Sequence, residues 1–285
     1  MKSIFRCAFT VWLVLFSMPA LGEQSGRELS DRARDSMASV PVLRRIDTSQ
    51  VSNALIVGHE RKEQEPQTTV TQIEIDMPRL LVRFTGTVQG KEVVVLKHGE
   101  RAAMKLGSGP WEIPSGPYET MIKGMGNVFQ CEIETPETKQ TAPVWKLVGA
   151  ELLDGHEALV IESEGNTAVA LAQARMTQGI AKVFPGDPAQ RSTVKVLEYS
   201  SKHWISKADY RYLQTVQTSK VVMTVPFPDG KQQLIESSTR GTSRYSYEKV
   251  TIEIPEGAQK VLASGNLPSP KPLLRDEISE GKAKP

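Results

Sequence analysis

The chain has few cysteines, few histidines and no long apolar runs, and each shortage excludes a class of protein. Its 285 residues include two cysteines and four histidines. The histidines lack the paired spacing and cysteine partners of zinc sites, so we expect no metal ion and no cofactor. These histidines are His59, His98, His156 and His203. The most apolar segment, 7–18, is too short to span a bilayer as a permanent helix.

The N-terminus has the three parts of a secretory signal peptide. Lys2 and Arg6 precede the apolar segment 7–18, and small residues end the pattern at Gly22. We expect cleavage near Gly22 and export to the periplasm. The next residue is Glu23 rather than cysteine, so no lipid anchor is expected at that position.

Removal of this segment leaves a formally neutral chain with one thiol. Without Lys2 and Arg6, the 35 basic residues become 33, which equals the 33 acidic residues. This balance argues against a nucleic-acid partner. Cys7 leaves with the signal peptide, so Cys131 has no intramolecular disulfide partner. Because Cys131 follows an apolar helical pattern, we expect it to be buried and unreactive.

Alternating apolar residues and short turns predict a β-rich chain. The turn pairs Gln89-Gly90 and Asp154-Gly155 each separate two alternating segments, as in β-hairpins. Pro228-Asp229-Gly230 separates a further pair. Successive hairpins predict an antiparallel meander. The predicted strands are 69–76, 80–88, 91–97, 147–153, 156–162, 210–225, 231–239 and 245–254.

Three segments have the apolar spacing of helices. They are 31–39, with Ser30 or Asp31 as the N-cap, 118–129, and 167–183, with Asn166 as a candidate cap. Together with the strands they predict a mainly β (α+β) fold. Its core is a large curved antiparallel sheet or an unclosed β-barrel, covered by a few amphipathic helices. We expect a signal peptide at 1–22, one domain at 23–262, and a disordered Pro-rich, charged tail at 263–285.

Two motifs that imitate catalytic sites fail on spacing or context. Segment 86–91 imitates a phosphate loop, but it is one residue short and falls in a predicted hairpin. Ser246 and Lys249 have the Ser-x-x-Lys spacing, but on a strand they point to opposite faces. The sequence therefore predicts no enzyme.

Apolar and aromatic side chains are the candidates for ligand binding. Methionine adapts its shape to irregular apolar partners, including acyl chains. The pattern leaves open whether these side chains fill the sheet's inner face or line a cavity on it. The candidate cavity-lining residues are Phe84, Trp111, Tyr118, Met121, Ile122, Met125, Phe129, Trp145 and Trp204.

Several stretches resemble the LolA-like superfamily. Segment 76–90 is similar to its "Pro, basic, apolar" strand and Gly turn, and 97–100 and 109–111 to its next turn and short Trp segment. Segment 149–155 resembles its Gly-x-Glu-x-x-Asp-Gly hairpin. Segment 203–210 resembles its Trp-Ile-Asp strand and turn, with Ser206 where Asp is usual. Segment 247–255 resembles its final strand.

The resemblance implies an unclosed β-barrel over a few helices, exported to the periplasm. Such a protein binds a lipid, an acyl chain or a lipoprotein in an apolar cavity and performs no catalysis. Its expected partners are therefore lipid or lipoprotein acyl chains. The functional basic residue of the family's carriers matches either Arg79 or Arg83.

Two alternatives stay open. The first is an envelope sensor or scaffold on the same fold, with an envelope membrane protein as its partner. A set of tyrosines and arginines suits such an interface: Tyr210, Arg211, Tyr212, Arg244, Tyr245 and Tyr247. The second is a hydrolase whose site is assembled from distant strands, although no motif supports one.

Overall fold

The computed structural model describes residues 25–57, 60–88, 90–115, 122, 144–183, 193–226 and 232–264. Several predictions lie outside these residues: the signal peptide, the helix at 118–129 apart from Ile122, Cys131, and the tail beyond 264.

The described strands form one antiparallel sheet that is not closed, which confirms the predicted mainly β fold class. The strands are β1 (Val42–Val57), β2 (Glu60–Glu63), β3 (Gln67–Asp76), β4 (Leu81–Val88), β5 (Lys91–His98), β6 (Arg101–Leu106), β7 (Trp111–Glu112), β8 (Lys146–Leu153), β9 (His156–Ser163), β10 (Thr193–Ser206), β11 (Tyr212–Pro226) and β12 (Gln232–Ser246). Their order is β7-β6-β5-β4-β3-β1-β12-β11-β10-β9-β8, and β2 also pairs with β1.

Two meanders meet at the centre of this sheet. The first runs outward from β1 through β3 to β7, and the second runs inward from β8 to β12. Pairing of β1 with β12, from Arg44 opposite Ser246 to Ile56 opposite Leu234, joins the two halves. The first and last strands along the chain, β1 and β12, are therefore neighbours in the sheet.

Helices cover both faces of the sheet. The helices are α1 (Gly26–Ala38), α2 (Gly165–Val183) and α3 (Glu256–Ser264). We call the face that packs against α1 the α1 face; its side chains include Leu43, Ile73, Ile161 and Ile205. We call the opposite face the α3 face; its side chains include Leu81, Leu96 and Ala103. None of the helices within the described residues is long and apolar enough to cross a membrane.

Helix α1 begins earlier than predicted. Ser25 is its N-cap, and the Ser25 side chain and Glu28 form a capping box. The predicted caps Ser30 and Asp31 instead lie inside the helix. Leu29 is fully buried against the sheet, so apolar packing extends one turn further toward the N-terminus than the predicted start allowed.

Helix α2 lies close to its predicted bounds and packs on the α1 face. The Gln173 side chain donates to the Val194 carbonyl at 2.7 Å and accepts from the Val196 amide at 2.7 Å. Strand β10 pairs with β9 only from Ser201 to Ser206, so this earlier part of β10 has a free edge. One side chain of α2 thus replaces hydrogen bonds that a neighbouring strand would make.

The predicted last strand, 245–254, is wrong. Strand β12 ends at Ser246, and residues 247–255 form no strand. Val250 and Ile252 instead pack with α3 on the α3 face. Apolar and polar residues alternate in this segment because one side of the extended chain is buried against the sheet. Such burial does not require backbone hydrogen bonds to a neighbouring strand.

Candidate functional site

A cavity of about 150 Å³ lies between α1 and the α1 face of the sheet. Its lining residues are Met37, Leu43, Arg45, Ile73, Ile75, Tyr212 and Tyr245. The floor is aliphatic and the wall is aromatic. Typical small-molecule pockets have roughly 300–1,000 Å³, so a whole lipid would extend beyond this cavity along the sheet face.

The sheet register places the lining side chains together. Arg45 of β1 lies opposite Ile73 of β3 on one side and opposite Tyr245 of β12 on the other. Leu43 and Ile75 form the next pair on the same face. The cavity therefore lies where the two meanders meet.

Tyr247 fixes the wall of the cavity to α1. Its hydroxyl donates to the Tyr212 carbonyl at 2.5 Å and lies 3.0 Å from Met37 Sδ. Burial raises the pKa of the Tyr247 hydroxyl well above its usual range. Tyr247 therefore stays neutral and links strand β11 to the helix that roofs the cavity.

One end of the cavity is charged and contains a carboxylate oxygen that accepts no hydrogen bond from the described residues. Arg45 Nε donates to Asp47 Oδ2 at 3.0 Å, and a second guanidinium nitrogen lies 2.9 Å from the same oxygen. Each side chain is 26 % exposed. Asp47 Oδ1 is buried and accepts no hydrogen bond from the described residues. Burial raises the pKa of Tyr245, and the nearby Arg45 charge opposes that rise.

Polar side chains continue from this end across the α1 face. In register, Asp47 lies opposite Ser243, Ser243 opposite Thr215, and Thr215 opposite His203. Two serines extend this row from β10 to β9, because Ser201 and Ser163 are also paired. We call this set the polar belt: Asp47, Ser243, Thr215, His203, Ser201 and Ser163.

His203 is the most perturbed group of the polar belt. Burial lowers the pKa of His203 to about 4. Its Nε2 lies 2.9 Å from Ser201 Oγ, and its ring centroid lies 4.4 Å from that of Trp145, with the two ring planes tilted by 47°. Among the described residues, neither His203 Nδ1 nor Ser163 Oγ has a hydrogen-bond partner.

Within the described residues, the Ser201–His203 pair lacks two features that are typical of a hydrolytic site. A general base requires a group that orients its second nitrogen, and among the described residues His203 Nδ1 has none. A pKa of about 4 for His203 also makes it a weak base at neutral pH. In the described part of the chain, no three His, Cys, Asp or Glu side chains are grouped to hold a metal ion.

The structure brings three of the predicted cavity residues to the α1 face and separates two others. Phe84 and Ile122 pack together there, and Trp145 packs near α1. Trp111 lies under α3 on the α3 face, and Trp204 lies on the same face, where its Nε1 donates to Glu151 at 2.9 Å. Of the candidates, these lie outside the described residues: Tyr118, Met121, Met125 and Phe129.

The basic and aromatic candidates also divide between the faces. Arg83 is paired with the buried Glu74, and Arg79 donates to the Ile252 carbonyl at 3.1 Å, both on the α3 face. The cation at the cavity is Arg45, which sequence reasoning missed. Of the predicted interface tyrosines, Tyr212 and Tyr245 line the cavity. The only sign of Arg45 in the sequence is its spacing of two residues from both Leu43 and Asp47, which places the three side chains on one face of a strand.

No protein-family model and no curated protein matches the chain. Solved structures that are similar include lipoprotein LppX of Mycobacterium tuberculosis, with 11 % identity and a TM-score of 0.40 over 79 % of this chain and 96 % of that chain. LprF of Mycobacterium bovis has 11 % identity and a TM-score of 0.39 over 82 % and 97 %. A domain from Vibrio parahaemolyticus assigned to outer membrane lipoprotein sorting has 13 % identity and a TM-score of 0.24 over 82 % and 97 %.

These neighbours include the kind of protein that the sequence resemblance names. At such identities and TM-scores they assign no ligand and no role to this chain.

Proposed function

We propose that this protein is an exported carrier that binds an acyl chain of a lipid or lipoprotein in the cavity beneath α1. The observation that supports this proposal is the cavity itself, whose aliphatic floor leads directly to the polar belt. An amphipathic ligand fits this arrangement, with its apolar tail on the aliphatic floor and its polar head group at Arg45.

The energy of such binding comes from the tail. Each methylene group moved from water to an apolar surface contributes roughly 0.8 kcal/mol. Leu43, Ile73 and Ile75 offer that surface. No reacting group is needed, so the proposed activity is uptake and release without catalysis. The N-terminal pattern at 1–22 supports a periplasmic location for it.

The proposed function can be tested by filling the cavity. Leu43→Trp places a larger side chain on the cavity floor, so we expect it to abolish binding of a fluorescent fatty-acid probe. The cavity has room for part of the indole, so we expect a stability loss at the low end of the about 1–3 kcal/mol typical of overpacking. Probe fluorescence and chemical denaturation measure the two effects.

The matched control is Leu213→Trp, because Leu213 packs with Trp204 on the α3 face. We expect this variant to bind the probe as wild type does. Equal probe binding by the Leu43 and Leu213 variants, or no binding by wild type, would contradict the proposed function.

A further inference from the structure

The polar belt begins where the cavity ends. Arg45 and Tyr245 line the cavity, and Asp47 follows two residues after Arg45 on the same face of β1. A ligand whose tail lies on Leu43 and Ile75 would therefore present its head group to the Arg45–Asp47 pair. This inference rests on the proposed function and concerns the chemistry of that head group.

The charges at this end already compensate each other. The Arg45 guanidinium contacts Asp47 Oδ2 through two nitrogens, so the pair has no net charge. On the same face, the side chains of Tyr245 and His203 are neutral at neutral pH, because burial raises the pKa of Tyr245 and lowers the pKa of His203. An anionic head group placed here would lose its hydration without gaining an unpaired cation.

The open hydrogen-bonding atoms require a ligand that donates. An ionised carboxylate oxygen can only accept hydrogen bonds, and Asp47 Oδ1 is buried without a donor among the described residues. The neighbouring hydroxyls of Thr215 and Ser243 lower the pKa of Tyr245 against the effect of burial, so both act on Tyr245. A buried acceptor without a donor is costly, and a ligand hydroxyl at this end of the cavity would satisfy Asp47 Oδ1.

We infer that the polar belt is a head-group subsite that selects a net-neutral, hydroxylated head group, such as the glycerol of a monoacylglycerol. A hydroxyl of the head group donates to Asp47 Oδ1. A free fatty-acid carboxylate offers no donor, and its charge would lie beside the Asp47 carboxylate.

The test compares three ligands that share one acyl chain. We use 1-monolauroylglycerol, laurate and methyl laurate as competitors of a fluorescent acyl probe at neutral pH. A hydrogen bond to a charged group corresponds to about tenfold or more in affinity, so we expect the glycerol ester to bind about tenfold more tightly than the other two.

The variant Asp47→Asn tests the role of charge. It keeps the shape of the side chain but leaves Arg45 without its anion. We expect laurate to gain about tenfold in affinity and 1-monolauroylglycerol to lose about tenfold, which reverses the wild-type preference. The control is Glu236→Gln, because Glu236 is also 26 % exposed and paired with an arginine, Arg61, but lies on strand β12 away from the cavity. We expect it to leave all three affinities unchanged.

The outcomes separate this inference from the proposed function. Equal affinity of wild type for the three ligands would overturn the head-group subsite and leave the proposed function standing. Failure of all three ligands to displace the probe would overturn both. If Asp47→Asn does not fold, as judged by circular dichroism, the wild-type ligand series alone decides.

Discussion

At the scale of residues, the two faces of the sheet differ in how completely their buried polar groups are paired. On the α3 face, Glu74 is 1 % exposed and is paired with both Arg44 and Arg83. On the α1 face, Asp47 and His203 each keep a buried atom without a partner among the described residues. Complete pairing is typical of a structural network, whereas open hydrogen-bonding atoms beside a cavity suit a ligand.

His203 makes the free energy of unfolding depend on pH. Burial lowers its pKa from 6.5 to about 4, so between these values the unfolded chain binds a proton that the folded chain does not. Stability from this group is complete above the unfolded pKa and is lost as the pH falls toward 4. We expect a loss of about 2 kcal/mol between about pH 7.5 and about pH 5.

The variant His203→Gln isolates this effect, because glutamine keeps a polar side chain that does not titrate. Urea denaturation of both proteins at the two pH values gives the comparison. An equal loss of stability in wild type and variant on acidification would show that His203 is not the group responsible.

At the scale of elements, α1 depends on one close approach at its first residue. A Cβ atom added to Gly26 would lie 2.5 Å from the Trp145 carbonyl oxygen. The helix that roofs the cavity is therefore in contact with the backbone just before β8. A glycine at this position permits the contact, although glycine is a poor helix former.

Gly26→Ala should destabilise the protein although alanine favours helix. The clash is with backbone, which cannot move aside cheaply, so we expect a loss of about 1–3 kcal/mol in denaturation experiments. Gly241→Ala is the control, since a Cβ there meets no atom within 4 Å and alanine suits a strand better than glycine. A Gly26 variant as stable as the Gly241 variant would exclude this contact.

Local turn chemistry explains which elements the sequence predicts well. The hairpins β4–β5 and β8–β9 lie within a residue or so of their predicted bounds, because Gly90 and the Asp154-Gly155 pair adopt the positive φ angles that such turns need. Strand β1 was missed because its middle, from Asp47 to Asn53, is mostly polar. Polar residues on both faces hide the alternation that marks a strand.

The candidate site was harder to predict, because it depends on which face each side chain occupies. Trp204 alternates with His203 and Ile205 along β10 and so lies on the opposite face from them, but the sequence does not tell which of the two faces borders the cavity. From the sequence of β1 alone, Arg45 and Asp47 would be assigned as charged side chains that face solvent. Only the pairing of β1 with β12 shows that they border an apolar cavity.

At the scale of the whole molecule, the cavity lies at the junction of the two meanders. Arg45 comes from the first half of the chain, Tyr245 comes from the last strand, and Met37 of α1 lies above them. A ligand in this cavity contacts both halves and binds only the folded chain. Bound ligand should therefore stabilise the sheet as a unit.

The position of a bound acyl chain is the most direct test of this account. A fatty acid with a photoreactive diazirine near the middle of its chain is bound to the protein, illuminated and mapped by peptide mass spectrometry. We predict cross-links to peptides that contain Met37, Ile73, Ile75 or Tyr212, and their loss in Leu43→Trp. Cross-links confined to the α3 face, or cross-links that persist in Leu43→Trp, would contradict the assignment of the cavity as the binding site.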